Sequence, residues 1–143
     1  MKQMTKTLLL LFVLLIGAAA CSKDEPDGKW AKMKWEEPAG ITKVDGDYVI
    51  SASGGTYKFT CKNYKPWISH IVEVSGEYEQ TATLNDVHNC EGSWYSVKCE
   101  GNDVTVTFKP RPEDDYNHAL QVTLTAGDIF DYFSFIQNPK GIM

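Results

Sequence analysis

Basic side chains are in short supply. The 143-residue chain carries 14 Lys and Arg against 19 Asp and Glu, a formal net charge of −5, and its basic residues form no cluster. Nucleic-acid binding needs phosphate neutralisation, so this balance excludes that class of partner. Metal-ligand spacing is missing too. The 4 cysteines include no Cys-x-x-Cys, and His70, His88 and His118 lie at least 18 residues apart. That argues against a zinc site and against any local Ser-His-Asp or Cys-His signature. Asp45-Gly46-Asp47 and Glu113-Asp114-Asp115 lack the form of a calcium loop and read as solvated turns. No enzyme, metal or cofactor is therefore expected. Apart from a helical spacing at Trp30–Met33 that Pro38 and Gly40 cut short, amphipathic-helix periodicity is also absent after residue 20, and no apolar run there is long enough to span a bilayer.

What is present begins with a leader. Lys2 and Lys6 precede an uncharged run from Leu8 to Ala20, which ends in small residues just before Cys21. Positive, apolar and small residues in that order make a secretory signal. Its 13 apolar residues would span roughly 20 Å as a helix, short of the hydrocarbon core. Ala18-Ala19-Ala20-Cys21 resembles a bacterial lipobox, with Ala18 at the usual Leu position. The resemblance implies cleavage before Cys21 and acylation of that residue, which anchors the chain to a membrane. Two or three acyl chains hold stably where one does not. The alternative is ordinary cleavage after Ala20, leaving a soluble protein with a free Cys21. The Ser22-Lys23-Asp24-Glu25-Pro26-Asp27-Gly28 stretch is polar enough to stay solvated as a tether. It is also similar to the acidic signal that sends Bacteroidetes lipoproteins to the outer face of the outer membrane.

Beyond the tether the text is β. Ala31, Met33 and Trp35 alternate with lysines, so the lead-in either pairs with the domain or leads into it. Tyr48 to Ala52 precedes a Ser53-Gly54-Gly55 turn. Alternating runs follow around Tyr57–Cys61, Tyr95–Cys99, Val104–Phe108, Leu120–Leu124 and Phe133–Ile136, with a less regular apolar run at Trp67–Val74. Residues 76–92 are polar and irregular, with a strand hinted only at Thr81–Leu84. One buried face per strand requires two sheets that cover each other. The expectation is an all-β, immunoglobulin-like antiparallel β-sandwich of about seven strands. Its parts read as signal peptide 1–20, lipid-anchored tether and lead-in 21–46, sandwich 47–138 and tail 139–143.

Ser53-Gly54-Gly55-Thr56, Trp67, Trp94-Tyr95-Ser96-Val97 and Phe133-Ser134-Phe135-Ile136-Gln137 together resemble the BACON domain, a Bacteroidetes-associated module. The 26 residues between Trp67 and Trp94 are more than that family's short link, and imply an inserted loop or hairpin over 75–93. The resemblance implies an immunoglobulin-like sandwich on a surface lipoprotein, linked to glycan capture or acting as a spacer. It carries over no ligand residue. Gln137 reads as structural, its amide placed to bond backbone at the end of the last strand.

Two side-chain sets remain. Cys61 and Cys99 both fall on the apolar side of their strands, where they can form a disulfide across the core or remain buried thiols. Cys90–Cys99 is a rival pair. Among the aromatics, Trp30, Trp35, Trp67, Trp94, Tyr64, Tyr78 and Tyr116 sit at strand ends, loops or polar-side positions. A flat exposed ring stacks on the C–H face of a sugar. Trp94 and Tyr116 are therefore the candidate platform, against the alternative that they plug the ends of the sandwich. The expected function is a non-catalytic, lipid-anchored surface module that binds a polysaccharide. The alternative is a structural or interaction subunit held against another outer-membrane protein.

Overall fold

The computed structural model describes residues 30–111, 113 and 116–137. The leader, Cys21 and the tail from residue 138 onward lie outside the described residues. The chain divides into two compact units between Ala31 and Lys32. Of the first, only Trp30 and Ala31 are described.

The second unit carries eleven strands among the described residues: β1 Trp35–Glu36, β2 Thr42–Val44, β3 Asp47–Ile50, β4 Gly55–Cys61, β5 Trp67–Ser75, β6 Tyr78–Thr81, β7 Asn89–Glu91, β8 Tyr95–Glu100, β9 Asp103–Phe108, β10 His118–Thr125 and β11 Phe130–Gln137. They form a five-stranded sheet in the order β1-β4-β9-β8-β7 and a six-stranded sheet in the order β2-β3-β11-β10-β5-β6. The architecture is the expected all-β, immunoglobulin-like sandwich. The count exceeds seven because β1, β2, β6 and β7, each of two to four residues, trim the edges of the sheets. Runs that short are too brief for alternation to reveal. One pairing is parallel: β11 runs beside β3, with Phe135 opposite Tyr48 and Gln137 opposite Ile50.

The sandwich begins earlier than residue 47. Trp35 and Glu36 pair with Cys61 and Thr60 in one sheet, while Thr42–Val44 pair with β3 in the other. The lead-in is thus part of the domain, and it crosses from sheet to sheet. Between β2 and β3 the chain reverses at Asp45-Gly46, with φ of 51° and 89°. Positive φ at both central residues suits a two-residue hairpin, whose twist matches the strands it joins. The stretch over 75–93 is not a bare loop: β6 forms a hairpin with β5, and β7 edges the other sheet beside β8. The strand there is Tyr78–Thr81, slightly before the place the sequence suggests.

Alternation decides the core. Val104, Val106 and Phe108 point inward from β9, and Leu120, Val122 and Leu124 from β10, all at 3% exposure or less. Phe59 stacks on Phe133 at 4.3 Å, bringing the two sheets into contact. Fully buried Gln137 donates its amide to the carbonyls of Ser51 (3.2 Å) and Lys109 (2.9 Å). It is the structural clamp that its position in the sequence implies.

Candidate functional site

The expected platform does not form. Trp94 is 3% exposed. Its ring is packed by Tyr95 at 5.5 Å, Phe108 at 5.9 Å and His118 at 5.4 Å, leaving no face for a sugar. The residue precedes β8 and turns inward as a plug, which is the structural alternative. Tyr116 is exposed, but with Trp94 enclosed the two do not form one open face. Its ring lies against Gly76, where a Cβ would come within 2.5 Å, and its carbonyl accepts a bond from the Arg111 guanidinium.

Nor does a Cys61–Cys99 bridge form. Both thiols are buried and free, as is Cys90. They belong to one sheet, with β9 running between β4 and β8. Two interstrand spacings separate them by at least about 9–10 Å, beyond disulfide reach. Inward-facing positions from a single sequence do not reveal which sheet holds them. Cys90 stands opposite Val97, so Cys99 is only its diagonal neighbour. Burial pushes the Cys99 thiol up to about 12, and burial foremost also raises that of Cys90. Both are inert as nucleophiles at neutral pH.

A recess of about 140 Å³ opens instead where β1, the β2–β3 hairpin and the start of β11 converge. Trp35 on β1 donates its indole N–H to the Asp131 carboxylate on β11 at 3.0 Å, a bond that links the two sheets. The other Asp131 oxygen accepts the backbone N–H of Tyr132 at 2.8 Å, fixing the carboxylate. Trp35 meets Phe133 edge-on at 4.8 Å, so its ring is held by the core while remaining half-exposed. The Tyr48 ring packs inward among Phe59, Phe133 and Phe135, and its hydroxyl bonds the Glu37 carboxylate. Burial, with Glu37 second, raises the Tyr48 hydroxyl well above its ordinary value, so it stays protonated. Lys43, opposite Tyr48 in the hairpin register, holds its ammonium 4.9 Å from the centre of that ring. Tyr132 completes the rim at 58% exposure, two residues from the equally exposed Phe130.

The recess therefore sets aromatic faces beside two carboxylates and one ammonium. Pockets that hold small ligands combine apolar walls with a few placed polar groups. This volume is on the scale of one ring-sized group. Trp35 is one of several aromatics at strand ends, and nothing in its neighbourhood in the sequence sets it apart. Tyr132 is accessible to the alternation along its strand, since Phe133 and Phe135 facing inward forces Tyr132 outward. Glu37 and Lys43 carry no sequence signal, since only the fold brings them together.

A second polar group lies inside the sandwich. Ser75 Oγ and His118 Nδ1 are 3.0 Å apart, and Tyr95 hydrogen-bonds Glu73. Among the described residues, no three His, Cys, Asp or Glu gather to hold a metal ion, and no helix is long and apolar enough to cross a membrane.

A solution NMR structure of a protein from Bacteroides thetaiotaomicron is 32% identical to this chain with a TM-score of 0.66, covering 83% of this chain and 97% of that one. The chain belongs to that protein's family. A looser likeness joins the chain to the ASH/PapD-like domain of human CEP192, at 12% identity, TM-score 0.35, and 78% and 89% coverage. No protein-family profile and no curated protein matches the chain.

Proposed function

We propose that this protein is a non-catalytic carbohydrate-binding module, BACON-like in its motifs and tethered through Cys21 to the exterior of the outer membrane. The observation that carries the reading is the recess, where exposed Tyr132 adjoins the fixed Asp131 carboxylate. A sugar ring stacks its C–H face on the phenol while its hydroxyls donate to Asp131 and Glu37. An aromatic platform beside a fixed acceptor binds without a metal or a nucleophile.

The test is glycan-array binding followed by titration of the positive sugar. Tyr132→Ala lowers affinity at least about tenfold with an unchanged melting temperature, because the ring is mostly in water. Saturable binding that survives Tyr132→Ala sinks this site. Incorporation of labelled palmitate tests the anchor.

The second reading is an interaction subunit without sugar binding. It is favoured by β6, an edge strand exposed at all four residues and bearing Tyr78 at 77% exposure. Edge strands with unpaired backbone groups accept a partner's strand. No binding to any glycan, together with co-purification of an outer-membrane partner lost on Tyr78→Pro, favours it over the first.

A further inference from the structure

We infer that the recess selects sugars bearing a free ammonium group, and that Lys43 is its built-in occupant, displaced when such a ligand enters. This rests on the carbohydrate reading and names the ligand class for the same site.

Glu37 and Asp131 bring two negative charges to the recess and Lys43 one positive. The balance is −1, within a chain whose net charge is already −5. A uronate or sulfated sugar meets repulsion there, while a cation is drawn in. The Lys43 ammonium, 4.9 Å from the Tyr48 centroid, marks where a cation is bound. Aromatic faces attract ammonium groups through the negative face of the ring, more strongly once water is excluded. Tyr48, only 3% exposed, is nearly dry.

Lys43 is held weakly. It lies on β2, a three-residue edge strand exposed throughout. None of the ion pairs among the described residues involves it. Its flexible stem swings into water at little cost. The vacated ring face and the carboxylates then take the ammonium of the ligand, while Tyr132 stacks on the sugar ring. In this arrangement Lys43 competes with the ligand and makes no bond to it.

Calorimetry on the full chain in detergent, with three oligosaccharides, tests this. The probes are a glucosamine hexamer, its N-acetylated counterpart and an oligogalacturonate. The glucosamine hexamer binds about tenfold or more tighter than the acetylated form, and the uronate binds weakest. Lys43→Ala tightens the amine ligand about fivefold, whereas Lys43→Arg, which retains the occupant, does not. Equal or better binding of the acetylated sugar overturns the amine selectivity. Weaker amine binding in Lys43→Ala overturns the displacement, since it makes Lys43 a ligand contact. Failure of all three sugars, together with a blank glycan array, removes the carbohydrate reading itself. Binding of a neutral array glycan that is lost in Tyr132→Ala preserves that reading and discards only the amine.

Discussion

Trp35 and Trp94 occupy regions near opposite ends of β11 and have opposite fates. Near its start, Trp35 turns its N–H to the Asp131 carboxylate and leaves part of its ring in water. Near its end, around the Gln137–His118 pair, Trp94 is enclosed, and its N–H finds no partner among the described residues. An indole with a fixed acceptor and an open face is available to a ligand. One that is walled in contributes volume. The difference lies in which strand edges stand nearby: β1 and β2 are short enough to leave a gap, whereas Trp94 is closed over by Tyr95, Phe108 and His118.

Substitutions can break this contrast. The largest effect belongs to Trp94→Ala, which costs about 3–5 kcal/mol by emptying a packed site. Denaturant unfolding measures it, and a loss under 1 kcal/mol would mean that the indole is not a plug. Trp35→Phe comes next. It keeps a ring against Phe133 but removes the bond to Asp131, costing about 1 kcal/mol. It also weakens the proposed glycan binding, because the carboxylate loses one of its two hydrogen bonds; unchanged affinity would detach Asp131 from the site. A pH effect, confined to alkaline conditions, comes last. Cys99 titrates near 12 when folded against a reference of 9.0. Its contribution to stability is whole below about 9 and drains away as the pH climbs toward 12, because only the unfolded chain releases the proton. The buried hydroxyls of Tyr48 and Tyr95 act in the same direction. Unfolding midpoints between pH 8 and 11 fall less steeply in Cys99→Ala than in the native chain, and identical slopes would contradict the burial of that thiol.

The sandwich was legible because period-two alternation at Tyr57–Cys61, Val104–Phe108 and Leu120–Leu124 reports burial on one face, which is a local property. Gln137 was legible for a similar reason, as a polar residue closing an apolar run. The site was not. Trp94 sits among polar neighbours in the sequence, yet the fold encloses it, and the burial of a loop residue depends on distant strands. Cys61 and Cys99 share an inward direction, but strand order placed β9 between them. The recess joins Trp35, Lys43 and Asp131, the first and last 96 residues apart. No pattern of neighbouring residues encodes such a meeting.

The crossing of the lead-in from one sheet to the other decides where this domain can be cut. A shortened form starting at Asp47 would strip β4 and β3 of their outer neighbours. Two bare rows of amide and carbonyl groups would then invite other molecules to stack on them, and precipitation would follow. The same cut discards Trp35, Glu37 and Lys43, so any soluble remnant would lack one wall of the recess and could not test the proposed binding.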